Sequence, residues 1–195
     1  METIIEPKIP SVLGILSEHL NAQGVPYAII GAMALGLYGF PRYTSDIDLL
    51  TDSRSCDDVA RIMGKLGYEC FQKTDAFAQF DSEMGVLGKI DFMLVTSRDG
   101  RDILARRIVV NDDLFGPQPV IQPTDYLVLK LMAIANNPDR TFSDEADIAA
   151  FLKLNANQMV PEIFEPLDVK RLKHFATRFG KEEMLGKHLN MGVKK

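Results

Sequence analysis

Cysteines, histidines and long apolar runs are all scarce in this 195-residue chain. The two cysteines, Cys56 and Cys70, match no metal-binding or redox spacing. That sets aside zinc modules and disulfide scaffolds and points to a reducing cytoplasm. His19, His174 and His188 share no motif and read as surface or packing residues. The longest apolar stretch, residues 27–40, holds 14 residues, includes three glycines and stops at Pro41. Crossing a bilayer takes about 20 residues, so no membrane span is expected. The first ten residues, METIIEPKIP, carry two glutamates and no basic-then-apolar pattern, so no targeting segment is expected either. A glycine-rich Lys-Ser/Thr loop is missing, Gly31, Gly36 and Gly39 do not fit a dinucleotide fingerprint, and there is no Gly-x-Ser-x-Gly elbow.

What is present describes an ordinary globular chain, 46% apolar and 25% charged, long enough for one good core with a helical appendage. The net charge of −5 is unevenly spread. Residues 168–195 hold eight Lys/Arg against three Asp/Glu, while residues 1–167 hold 14 against 24. A basic tail on an acidic body suits a phosphate backbone, and it equally suits the wet face of a C-terminal helix.

Periodicity divides the chain into an α/β part, residues 1–122, and a helical part, residues 123–195. Apolar spacing predicts helices over residues 10–23, 31–39 and 55–66. Strands are predicted at 27–30, 45–51, 68–72, 76–80 and 87–95, the last two joined through Gly85. Short extended pieces at 108–110 and 120–121 flank the turn at 115–119. Beyond Pro123 the pattern turns helical, over 125–135, 143–154, 161–178 and 181–190. The expected class is α/β (α+β) with a mixed sheet, followed by the helical region.

The chemistry gathers in IIGAMALGLYGFPRYTSDIDLLTD, residues 29–52. Side chains two apart on a strand share a face, so Asp46 and Asp48 would point one way and Ile47 and Leu49 into the core. Two neighbouring carboxylates repel unless a cation lies between them, and Mg²⁺ with phosphate as co-ligand suits such a pair. Asp91 interrupts the apolar run Ile90 to Val95 and would bring a third carboxylate if the two strands adjoin. By itself, Asp-x-Asp also fits the wet side of a half-exposed strand. The strand-to-helix turn at Gly31, 15 residues before Asp46, adds backbone N–H groups of the kind that bind phosphate.

Gly31-Ala32, then Asp46-Ile47-Asp48, then Asp91 on a later strand resembles the polymerase-β-type nucleotidyltransferase superfamily. The fuller strings Gly31-Ala32-Met33-Ala34-Leu35 and Arg42-Tyr43-Thr44-Ser45-Asp46-Ile47-Asp48 resemble its AbiEii-like branch, found in toxin–antitoxin and phage-defence systems. In the same order follow Asp125 to Ala133, with Lys130, and Arg140 to Ile148, with Asp144 and Asp147. The likeness covers about residues 25–155. It implies a polymerase-β-like fold and the transfer of a nucleoside monophosphate from a nucleoside triphosphate to a hydroxyl on tRNA or protein.

The resemblance further implies that Asp46, Asp48 and Asp91 hold two Mg²⁺ ions, with Asp91 also helping to take the acceptor's proton. It places Gly31, Ala32, Arg42, Thr44, Lys130 and Asp147 at the nucleotide. Arg42 and Lys130 would offset pyrophosphate charge, Thr44 would fix the start of the strand, and Asp147 would orient Lys130 or meet the nucleotide. Helix capping with solvent exposure is the other reading of Asp144 and Asp147, and snorkelling from the core edge the other reading of Lys130. Two departures stand out: Ala32 replaces the second glycine or serine, and Phe142-Ser143 replaces an expected lysine. A small-molecule nucleotidyltransferase of the aminoglycoside kind, and a weakened nucleotide-binding protein, are the alternatives. A cognate antitoxin would be a partner of the toxin form.

Overall fold

The structure is a computed structural model that describes residues 9–82 and 87–191. The predicted link through Gly85 lies outside the described residues, as does most of the METIIEPKIP start. The chain divides into two compact units. One comprises Met1–Met33 and Tyr43–Ile121, the other Ala34–Arg42 and Gln122–Lys195.

The first unit contains a seven-stranded mixed sheet. Its strands are β1 (Tyr27–Ile29), β2 (Ile47–Asp52), β3 (Tyr68–Lys73), β4 (Phe77–Ser82), β5 (Ile90–Val95), β6 (Ile108–Asp112) and β7 (Gly116–Val120). Their order is β3-β4-β5-β2-β1-β7-β6. Two pairs, β2 with β5 and β1 with β7, run parallel, and the others antiparallel. The helices of this unit are α1 (Ile9–Ala22), α3 (Cys56–Lys65) and α4 (Arg98–Ala105). Helix α3 buries Val59, Ile62 and Met63, the three- and four-residue spacing of one helical face. In the sheet, Phe80 and Phe92 meet edge to face at 5.9 Å.

Helix α4 has no counterpart among the predicted elements. Only Ile103 and Leu104 of its eight residues are buried, too few to show a helical period. A cap starts it instead: the Ser97 hydroxyl accepts the Gly100 N–H at 3.1 Å.

The second unit contains α5 (Pro123–Asn136), α6 (Thr141–Ala156), α7 (Val169–Phe179) and α8 (Glu182–Met191). Helix α5 packs against α6 and α7, and α8 against both of those. The ring of Tyr38 meets Tyr126, Phe151 and Phe164 edge to face at 5.5, 5.5 and 4.8 Å. Helix α2 (Gly31–Leu37) is divided between the units after Met33.

The predicted helix over 161–178 begins only at Val169. Pro161 and Pro166 cannot donate within a helix, and the segment between them finds other partners. The Glu165 N–H reaches Gln122 Oε1 at 3.0 Å and the Asp168 N–H reaches Thr124 Oγ1 at 3.0 Å. Asp168 then caps α7 by accepting the Arg171 N–H, and Gly180 ends it in the left-handed conformation. No described helix is long and apolar enough to cross a membrane.

Candidate functional site

The first unit's acids are organised by strand register. On the parallel pair β2–β5, Asp48 stands directly opposite Asp91. Facing residues share a side of the sheet, with backbones about 4.8 Å apart. Next in line on β4 is Gln79, paired with Asp91, and its amide donates to Asp91 Oδ2 at 2.8 Å. Gln72 on β3 pairs with Gln79 in turn. A polar row, Gln72–Gln79–Asp91–Asp48, thus crosses four strands, while alternate residues such as Ala78, Phe92 and Leu49 are buried.

The other end of the row is closed by backbone. The Ile30 N–H donates to the Asp48 carbonyl at 3.0 Å, and Gly31 follows at φ +63°. A Cβ on Gly31 would collide with Oδ2 of Asp48. Only glycine both takes this conformation easily and lets the carboxylate lie against the chain. Ala32, 4% exposed, packs inside and leaves Gly31 as the more open residue of the pair.

Asp46 behaves differently from the prediction. The ladder begins at Ile47, so Asp46 lies in a bend rather than alternating with Asp48 on one strand. The Thr44 hydroxyl explains the bend: it accepts the Asp46 N–H at 3.2 Å and donates to the Asp46 carbonyl at 3.1 Å. These bonds occupy the backbone groups that a longer strand would pair. Asp46 Oδ1 accepts from the Ser45 hydroxyl at 3.0 Å. Among the described residues, no group of three His, Cys, Asp or Glu side chains is placed to hold a metal ion. The structure brings Asp48 and Asp91 together and leaves Asp46 one residue short of the ladder.

The second unit has its own charge cluster. Lys130 Nζ donates to Asp144 Oδ1 and Asp147 Oδ2, each at 2.7 Å, and is 8% exposed. Arg140 Nε donates to the other Asp144 oxygen at 3.0 Å, and Arg42 approaches Asp147 Oδ2 at 3.4 Å. Three cations therefore surround two buried carboxylates. Lys130 also lies 5.6 Å from the centre of the Tyr126 ring. Burial pushes the Tyr126 phenol pKa up strongly; Asp147 adds to this and Arg42 opposes it. Asp144 and Asp147 are buried rather than solvated caps, and the Lys130 ammonium is held between carboxylates rather than reaching for water.

Gln79 and Gln72 were absent from the sequence-derived set. The alternation Phe77-Ala-Gln-Phe-Asp-Ser82 marks Gln79 as lying on the open face, but only the β4–β5 register brings it to Asp91.

No family model matches the sequence, and none of the curated proteins matches it. Solved structures do. ANT(2″)-Ia in complex with adenylyl-2″-tobramycin is similar at TM-score 0.60 and 13% identity, over 87% of this chain and 98% of that one. An antigenic nucleotidyltransferase-like protein from Paracoccidioides brasiliensis is similar at TM-score 0.55 and 18% identity, over 95% and 94%. The lincosamide antibiotic adenylyltransferase LnuA, bound to lincomycin, is similar at TM-score 0.53 and 15% identity, over 75% and 97%. The chain has the nucleotidyltransferase fold.

Proposed function

We propose that this protein is a Mg²⁺-dependent nucleotidyltransferase that moves a nucleoside monophosphate from a nucleoside triphosphate to an acceptor hydroxyl. The observation that carries the reading is the in-register pair Asp48–Asp91 beside Gly31. Two carboxylates on adjoining strands repel unless a cation joins them, and an oxygen-only donor set fits Mg²⁺. Asp48 and Asp91 would hold the ion, and Asp46, one residue outside the ladder, is assigned as a further ligand by motif order. When bound, the metal supplies charge stabilisation at the transferring phosphate.

The chain's own residues perform the rest. Gln79 fixes one oxygen of Asp91, so the free rotation of that carboxylate is removed before any ligand arrives. Asp91 is also the group we assign to accept the acceptor's proton. Gly31 and Ala32 present backbone to the nucleotide, and Thr44 holds Asp46 at the start of β2. Arg42 and Lys130 are assigned to the triphosphate by motif order, and Asp147 contacts both.

The order of Gly31-Ala32, Arg42 to Asp48, Lys130 and Asp147 supports the AbiEii-like branch, and with it a cytoplasmic toxin whose partner is an antitoxin. For the acceptor, tRNA is favoured by α7. Lys170, Lys173, His174 and Arg178 are exposed at helical spacing along it, while Arg171 is engaged by the fully buried Asp125. Such a stripe suits a phosphate backbone. The second reading, an antibiotic acceptor, draws on the likeness to ANT(2″)-Ia and LnuA.

The test is label transfer from each of the four nucleoside triphosphates, with Mg²⁺, to tRNA, protein, aminoglycoside and lincosamide acceptors. Transfer to tRNA that weakens with salt and with Lys170→Ala/Lys173→Ala is expected. Transfer to an antibiotic alone, indifferent to those changes, would establish the second reading. Transfer that survives Asp48→Asn would overturn the proposed site.

A further inference from the structure

The prolines of β7 break its contact with β1. In a strand every second residue turns its N–H to the same neighbour. Ile121 donates to the Ile29 carbonyl at 3.4 Å, so positions 119 and 117 should supply the next two donors towards β1. Both are proline and have none. The two strands accordingly register at one pair, Ile29 with Val120, at the end of β1 that leads to Gly31. Near the other end of β1 lies a cavity of about 280 Å³, lined by Val25, Tyr27, Pro117 and Pro119.

Three further residues complete the lining, and one of them is charged. Arg107 and Val109 come from the start of β6, and Asn21 from the last turn of α1. The Arg107 Nη1 donates to the Leu104 carbonyl at 2.7 Å, which steadies the guanidinium through one nitrogen. Among the described residues it has no carboxylate partner. Tyr27 is positioned through Gln118. Its hydroxyl donates to Gln118 Oε1 at 3.4 Å, and that oxygen also accepts the Ser17 hydroxyl at 2.9 Å. The Gln118 amide is itself tied to the Phe115 carbonyl at 3.0 Å.

The lining selects the ligand. One cation without an acid partner calls for a monoanion, and the arginine fork matches a carboxylate. A phosphate is disfavoured, because the prolines present no N–H and α1 presents its partly negative C-terminal end. Two valines and two proline rings call for an apolar body. The volume lies at the small end of the range for small-molecule sites, about 300–1,000 Å³. We propose that this cavity is a second binding site, which takes a small monocarboxylate with a compact apolar body and pairs its carboxylate with Arg107. It is separate from the acid pair, since Gly31 and Asp48 lie at the opposite end of β1.

The test reads binding and is independent of any transfer activity. The full-length chain, isotope-labelled for NMR, is titrated with benzoate and, separately, with benzamide. Benzoate should shift the amide signals of Val25, Tyr27, Arg107, Val109 and Gln118 and saturate them. Benzamide, of the same shape without the charge, should bind at least about tenfold more weakly. Arg107→Gln should weaken benzoate by at least about tenfold as well. Val109→Trp, at a position 58% exposed and so tolerant of a larger side chain, should obstruct the cavity and abolish binding. No saturation by benzoate, shifts confined to other residues, or equal affinity for benzamide would each overturn the proposal. So would full benzoate affinity in a folded Arg107→Gln or Val109→Trp protein.

Discussion

The two charge clusters solve opposite problems. In the sheet, Asp48 and Asp91 are aligned as like charges, one of them tied by a neutral amide. In the helical unit, Asp144 and Asp147 sit under three cations and are neutralised within the chain. A cluster that balances itself contributes to the fold, and breaking it leaves a buried charge uncompensated. Under the proposed function, the register of Asp48 and Asp91 is where a cation from outside would bind.

That contrast can be broken by four measurements. The largest effect is expected from Asp48→Asn: loss of transfer by roughly a thousandfold or more, on the order of 4 kcal/mol in barrier, with denaturant stability unchanged within about 0.5 kcal/mol. A large loss of stability in this variant would place the acid pair among the structural residues. Lys130→Met should do the reverse, lowering stability by about 3 kcal/mol in chemical denaturation because Asp144 and Asp147 lose their shared partner. A stable Lys130→Met protein would mean that Arg42 and Arg140 suffice.

Gly31→Ala sharpens the sheet side. The added methyl would strike Asp48 Oδ2 and take a strained φ, so a stability loss of about 1–2 kcal/mol together with reduced transfer is expected. Unchanged activity would show that this close approach is dispensable. The smallest effect concerns pH. Hydrogen bonds from Arg54 hold the Asp52 carboxyl down to about 2, against the opposing effect of burial. A carboxylate depressed in the folded state stabilises above its unfolded value near 3.9 and loses that contribution as pH falls through about 2. Asp52→Asn should therefore lower stability above about pH 4 and flatten its acid limb between about pH 4 and pH 2.

The sequence displayed the chemistry better than the geometry. Alternation around Asp48 and the apolar run around Asp91 marked β2 and β5, because buried parallel strands impose such patterns. Helix α5 was visible from its starting proline and apolar length. Asp46 misled, since alternation continues through Ser45 and Asp46 while the Thr44 hydroxyl takes the backbone bonds. The helix expected from Pro161 onward failed for a tertiary reason, the capture of that segment by Gln122 and Thr124. The assignment of Ala34–Arg42 to the helical unit was invisible because it depends on Tyr38 finding three aromatic partners far along the chain. Likewise the β3 bulge between Cys70 and Gln72 leaves no mark in a strand read one residue at a time.

The most direct measurement is nucleotide binding by calorimetry, with and without Mg²⁺, for the natural chain and for Asp91→Asn. Triphosphate binding that needs Mg²⁺ in the natural chain and is lost in a folded Asp91→Asn protein is the expected result. Equal affinity without the metal, or undiminished affinity in the Asp91→Asn protein, would contradict a cation held between Asp48 and Asp91.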